Sequence, residues 1–269
     1  MDLSVGCQTY TWEMLGPAWR GGPDDLLAAI AAAGYTGIEI TDTMIGHYAR
    51  DPAAFAVALA AHGLELVAFN FASETGFTRG EAVAADLEMA TRWIAFTAHF
   101  PEAIASIGSP TVTSGGARAD KFPVAADICN HIAGIGRAYG VEVAVHPSSH
   151  QGTLLLDRTD YERFVALLEP AVGWVPDTGH LLRGGHRMLD ALAAWRDRIR
   201  YLHLKDVDAG GRWAMLGTGV CDTPAVLGVV ARAPRFTGWI VLEEESDAAA
   251  ADPATAVRAN RITMRTYGV

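Results

Sequence analysis

In the stretch "VPDTGHLLRGG", Asp177 and His180 stand three residues apart, where a short apolar run stops and the chain turns. A carboxylate and an imidazole at that spacing can hold a divalent cation, but Asp-Thr-Gly is also ordinary helix-capping chemistry. The choice depends on company. His146 and His150 follow an apolar run in "VEVAVHPSSHQGT", His203, Lys205 and Asp206 close another in "IRYLHLKDV", and Glu243, Glu244 and Glu245 close a third in "GWIVLEEE". Four successive runs each end in a side chain able to bind a metal, and no other part of the chain repeats this.

Strand alternation selects among neighbours. His203 and Lys205 share one face, with Leu202, Leu204 and Asp206 on the other; Glu243 and Glu245 share a face, with Glu244 turned toward solvent or a helix. His146, Asp177, His203 and Glu243 therefore form a self-consistent inward set, with His150 as the alternative to His146. Two imidazoles and two carboxylates suit Mn²⁺, Co²⁺, Fe²⁺ or Zn²⁺ better than Ca²⁺, and one such ion leaves positions open for substrate oxygens.

The elements that must bring these residues together are legible as a rhythm. Eight β-type runs, "LSVGCQTY", "GIEI", "LELVAFNF", "IASIGSPTVT", "VEVAVHP", "VGWVPD", "IRYLHLKDV" and "GWIVLEEE", alternate with helical stretches at an average spacing of about 34 residues, the size of one βα unit. Asp51-Pro52 and Asp252-Pro253 open helices, and Gly34, Gly63 and Gly140 end them. Strands apolar on both faces and alternating with helices imply a parallel sheet, and eight units imply its closure. The reading is a single (β/α)₈ TIM-barrel domain over residues 1–269. An open doubly wound sheet is the alternative, but there is no glycine between Cys7 and Leu15 to form a phosphate loop after the first strand. In a barrel, chemistry gathers at the C-terminal ends of the strands, where the four sets of ligands lie.

Bulk properties narrow the partners. Half of the 269 residues are hydrophobic, 19% are charged, and the formal charge of −10 argues against nucleic acid, whose binding rests on Lys and Arg neutralising phosphates. "MDLSVGCQTY" lacks the basic and apolar regions of a signal peptide and no stretch approaches a membrane span, so a cytoplasmic chain without a membrane partner is expected. Cys7, Cys129 and Cys221 are odd in number and widely spaced, and are expected to be reduced and buried.

"VPDTGHLLRGG", "YLHLKDVD", "LGTGVCD" and "GWIVLEEESD" together resemble the xylose isomerase-like TIM barrels, a superfamily of sugar isomerases, ketose 3-epimerases, inosose dehydratases and endonuclease IV. The likeness is detailed from Val141 to Asp247 and elsewhere one of rhythm. It implies one metal held by a side chain from each of the last four strands. His146 stands where the family usually has a glutamate, which weakens a two-glutamate epimerisation, and the nearby "HQGT" is closer to the inosose dehydratase branch, whose "HxHxGT" pattern it meets with two extra residues.

The implied chemistry starts with a base removing an α-proton from a chelated hydroxy-ketone, the cation stabilising the enediolate. Reprotonation gives an isomer or epimer; loss of a β-hydroxyl gives a dehydrated product. His150, Glu245 and Glu39 are the candidate bases and acids, His180 and Lys205 the candidate contacts to substrate oxygens, and Trp12 a candidate platform for a sugar ring. The Gly-rich "LGTGV" could accept a phosphate on its N–H groups or simply approach the mouth closely. An isomerase or epimerase acting on an unphosphorylated ketose or keto-polyol is the first reading and a metal-dependent dehydratase the second. A repair endonuclease needs further histidines that "KDVDAGGRW" lacks; a non-enzymatic sugar-binding barrel is a further alternative. The resemblance also implies a homodimer or homotetramer.

Overall fold

The computed structural model describes residues 3–269; Met1 and Asp2, at the head of the N-terminal stretch, lie outside the described residues. Its strands are β1 (Ser4–Gln8), β2 (Gly37–Thr41), β3 (Glu65–Phe71), β4 (Ile104–Ile107), β5 (Val143–Val145), β6 (Gly173–Trp174), β7 (Leu202–Leu204), β8 (Asp206–Val207), β9 (Trp213–Ala214) and β10 (Trp239–Leu242). Eight form one parallel sheet in the order β6-β5-β4-β3-β2-β1-β10-β7. Two isolated parallel bridges, Trp174 with Ile199 and Asp177 with His203, join β6 to β7 and close the barrel. The fold is a (β/α)₈ TIM barrel with all eight expected strands.

The expected helix ends are present. Asp51 accepts a hydrogen bond from the Ala54 N–H ahead of Pro52–His62, and Asp252 does the same for Thr255 ahead of Pro253–Thr266. Gly34, Gly63 and Gly140 end their helices in the left-handed conformation. The helix leading to Gly140 starts at Arg118, four residues before the Phe122-Pro123 step, and carries Pro123 within it.

The hydrophobic core has two layers. Leu202, Leu204, Phe69 and Ile240 belong to the layer between sheet and helices, whereas Val67, Ala68, Ile104, Ala144, Val175, Tyr201 and Val241 form a smaller cluster of their own. Two local departures from regular strands lie near the site. The register between β2 and β3 slips between Ile38 and Glu39, with Val67 of β3 as the extra residue, while Glu39 keeps the alternation that turns it inward between Ile38 and Ile40. The run "IRYLHLKDV" is not one strand: it leaves the barrel at Lys205, and Asp206–Val207 pairs antiparallel with Trp213–Ala214 in a small hairpin over the mouth. Cys7 and Cys129 are free and buried; Cys221, also free, is only half-buried, a correction to its expected place. Among the described residues no helix is long and apolar enough to cross a membrane.

Candidate active site

His146, Asp177 and Glu243, just beyond β5, β6 and β10, converge with His203 in the middle of β7, one potential ligand atom from each lying within 4.8 Å of the others, all four buried. His146 Nε2 lies 3.6 Å from Asp177 Oδ2, which is 3.7 Å from His203 Nδ1; that nitrogen is 2.8 Å from Glu243 Oε2. Asp177 serves both of the roles its motif allowed. Its Oδ1 accepts the His180 N–H at 2.8 Å and caps the helix Thr178–Arg183, while Oδ2 faces the cluster.

Two of these atoms, His146 Nε2 and Asp177 Oδ2, are buried without a hydrogen-bond partner among the described residues. Orphans of that kind are rare because each costs about 1–3 kcal/mol. A divalent cation would satisfy both, and the mixed nitrogen and oxygen donor set fits the ions expected from the sequence.

Glu39 differs from its expected role. It is fully buried, and its Oε2 accepts from His203 Nε2 at 2.6 Å, on the side of the ring away from the cluster. From there it has no path to a substrate and does not qualify as a base; it orients the ring so that Nδ1 faces the other ligands. Burial lowers the proton affinity of His203, but Glu39 and Glu243 outweigh it and lift the imidazole to about 10. Both ring nitrogens thus face carboxylates that favour the protonated ring.

Lys205 is fully buried and is the second internal cation. Its ammonium donates to Glu243 Oε1 at 2.7 Å and to Glu245 Oε1, and lies 3.7 Å from Asp177 Oδ2. Burial alone would discharge it, but these three carboxylates together hold it charged. Burial opposes ionisation of Asp177 and Glu243 too, yet Lys205 keeps both well below the usual carboxylate range. Glu245 goes the other way: burial, helped by Glu243, lifts it to about 7 against the pull of Lys205.

His180 is held by the Ser149 N–H, which donates to Nδ1 at 2.9 Å, so the neutral ring carries its proton on Nε2. Burial and then Lys205 keep it neutral. Nε2, 3.4 Å from the Lys205 ammonium, is a hydrogen-bond donor at the floor of the site. His150 is half-exposed at the mouth, lowered by burial and Lys205, with Nε2 3.7 Å from Glu245 Oε2. His150, His180 and Glu245 form a second cluster within the same 4.8 Å limit.

Trp12 is misplaced by the sequence reading. It is 1% exposed and packs in the core beside Trp19, with 6.4 Å between ring centroids. Tyr10–Glu13 is a single helical turn, and residues two apart on a helix face different ways. Tyr10 thus takes the mouth, its ring centroid 5.9 Å from that of His150, and Trp12 the core. The aromatic residue over the cluster is Trp213, brought in by the β8–β9 hairpin. Its ring centre lies 4.5 Å from Lys205 Nζ and 5.0 Å from the His180 ring. Gly179 makes this possible, since a Cβ there would meet Trp213 Cζ3 at 2.7 Å. Hairpin pairing six residues beyond Val207 has no signature in "DAGGRW" beyond its glycines, so the sequence alone does not mark Trp213.

The loop "LGTGV" is not a phosphate cradle. Its N–H groups point inward to the buried Asp206 carboxylate, which accepts from Gly217, Gly219 and Cys221 at 3.0 Å each and from Val207 at 2.9 Å. Glu244 turns to the last helix, accepting from Asn260 Nδ2 at 2.7 Å.

The mouth over the cluster is a cavity of about 230 Å³ lined by Gln8, Tyr10, Asn70, Ser148 and His150, with His146, His180 and Glu243 at its floor. Among the described residues lining it there is no lysine or arginine.

Comparison with known proteins adds relatives to this geometry. A family model described as the xylose isomerase-like TIM barrel matches residues 27–267. An inosose dehydratase of Bacillus anthracis (strain CDC 684 / NRRL 3495) is 29% identical over 147 residues, covering 48% of this chain and 48% of that protein. The chain thus spans about half the length of the curated relatives it matches. Among solved structures, the E. coli 3-keto-D-glucoside 4-epimerase superposes with a TM-score of 0.77 at 18% identity, covering 98% of this chain and all of that one. The IolI protein with a bound zinc atom superposes at 0.73 and 16% identity, covering 98% and 96%. At such identities the structural likenesses show the fold.

Proposed function

The chain belongs to the xylose isomerase-like TIM barrel family, and from that premise we propose that it is a divalent-metal-dependent sugar isomerase or epimerase acting on an unphosphorylated ketose or keto-polyol. The observation that carries the reading is the buried quartet His146, Asp177, His203 and Glu243, two of whose ligand atoms have no other partner. These four would hold one ion of the Mn²⁺, Co²⁺, Fe²⁺ or Zn²⁺ group; a zinc atom in a structural relative supports such chemistry. When bound, the ion supplies Lewis-acid polarisation of a carbonyl. Among the described residues the mouth's lining has no arginine or lysine to bind a phosphate, which supports an unphosphorylated substrate.

The chain's own residues supply the remainder. His180 Nε2–H donates to a substrate oxygen from the floor, its tautomer set by Ser149. Lys205 brings positive charge to the same oxygens while bound to Glu243 and Glu245. Glu245, lifted to about 7 by burial, exchanges a proton with the α-carbon near neutral pH, and His150, 3.7 Å away at the mouth, passes protons to and from it. Tyr10 and Trp213 give the sugar its apolar contacts.

A dehydratase is the second reading, favoured by His146 in place of a strand-end glutamate and by the inosose dehydratase relatives. There His150 would protonate a departing β-hydroxyl. Either reading places the protein in the cytoplasm as one barrel domain, with a small carbohydrate as partner and a homodimer or homotetramer as its assembly.

Elemental analysis and NMR in D₂O test both. About one transition metal per chain is expected, together with α-proton exchange on a ketose for the first reading or loss of water from an inosose for the second. A purified protein that takes up no metal, or holds it equally well as Asp177→Asn, sinks the proposal.

A further inference from the structure

Beside the mouth lies a second cavity of about 520 Å³, walled by Arg183, Trp213, Glu245, Ser246 and Asp247. Two of these residues stand on its border with the site. Trp213 packs edge-on against His180, and Glu245 lies 3.7 Å from His150, both histidines lining the mouth.

The polar lining of this cavity offers acceptors. Asp247 is exposed beside Glu245, and its carboxylate can accept from ligand hydroxyls. Trp213 adds an apolar surface. The Arg183 guanidinium lies 4.4 Å over its ring, but Arg183 is exposed and such a contact is worth only about 0.5–1 kcal/mol, little enough for a sugar face to displace it. Charge decides the ligand class. Arg183 and Arg212 meet three carboxylates, Asp208, Glu245 and Asp247, and Asp208 already binds Arg212 at 2.9 Å. An anion gains nothing here, whereas a neutral polyhydroxylated ring finds carboxylate acceptors and an indole.

We infer that this cavity is a second sugar-ring subsite, so that the preferred substrate is a glycosidically linked keto-sugar and not a free monosaccharide. The inference rests on the sugar-enzyme reading of the neighbouring site. One ring occupies the mouth above the metal ligands; the second lies across Trp213, with its hydroxyls on Asp247.

The test is calorimetric binding to the metal-loaded full chain, comparing D-fructose with the ketose disaccharides turanose, palatinose and lactulose. At least one disaccharide is expected to bind tenfold or more tightly than D-fructose. Ala248→Trp, which plugs the second cavity from its exposed rim, removes that advantage and leaves D-fructose binding unchanged; Asp247→Ala reduces the advantage several-fold. No disaccharide advantage, including no binding of any of these sugars, overturns the subsite, as does an advantage that survives Ala248→Trp. Metal content and α-proton exchange on a panel of monosaccharide ketoses, measured on the same samples, report on the enzyme reading separately. A protein that holds metal and exchanges protons but ignores the second ring loses only the subsite.

Discussion

His203 shows how a single residue is prepared by its neighbours. With Glu39 on Nε2 at 2.6 Å and Glu243 on Nδ1 at 2.8 Å, the ring is fixed in position and its Nδ1 points at Asp177 and Glu243. Nδ1 is the atom this ring would offer a metal ion, while Glu39 holds Nε2. Glu39→Gln retains shape and burial but weakens that hold, so metal affinity should fall about 10- to 100-fold. Competition against a chelator reads this out, and an unchanged affinity would mean that Glu39 is only a buried partner of the ring. Glu39→Gln should leave proton exchange largely intact at saturating metal, whereas loss of the base in Glu245→Gln should cut it by about 10²–10⁴ under the same conditions.

At the scale of elements, Asp206 joins two sequence motifs into one structure. It ends "HLKD" and binds the N–H groups of "LGTGVC", anchoring both the loop and the hairpin that carries Trp213. Asp206→Ala should cost about 2–3 kcal/mol, and the amides of Gly217, Gly219 and Cys221 should exchange hydrogen faster while those of β2 and β3 do not. Asp42, just past β2, behaves in the opposite sense. Burial and the neighbouring Glu13 raise it from 3.8 to about 6, so the folded chain binds this proton more tightly than the unfolded chain. Its contribution to stability is complete below pH 3.8 and lost as pH rises through 6. Asp42→Asn should therefore stabilise the protein at pH 8 by about 1–2 kcal/mol, solvent screening at this partly exposed group trimming the full value. At pH 4 the gain should vanish; thermal melts at the two pH values decide it.

Across the whole molecule, the mouth is only as well defined as the layer that keeps eight strands in register. Phe69, fully buried on β3, packs against Trp93 at 4.8 Å and Phe96 at 5.0 Å between ring centroids, locking the strand to its covering helix. Phe69→Ala should lower stability by about 3–5 kcal/mol, read as a fall in the urea midpoint with little change in slope. Phe69 faces the helices and touches no metal ligand, so the folded fraction of the variant should bind metal as the parent does. A metal site lost in protein that is still folded would show that ligand geometry depends on sheet–helix packing more than the contacts indicate.

Much of this organisation follows from local rules that a sequence carries openly. The alternation of β runs and helices, the Asp-Pro starts and glycine stops, and the period-two sorting of His203 from Leu204 and Glu243 from Glu244 each depend on residues a few positions apart. Fold and juxtaposed quartet were therefore legible. What tertiary structure decided lies where distant segments meet. The meeting of Glu39 on β2 with His203 on β7 turned an expected base into a support for that ring; a one-turn helix sent Trp12 inward and Tyr10 outward; a hairpin six residues past Val207 set Trp213 over Lys205. The pairing of Lys205 with three carboxylates from two other strands is of the same kind. Periodicity records which face a side chain takes, but only the closed barrel determines what stands opposite it.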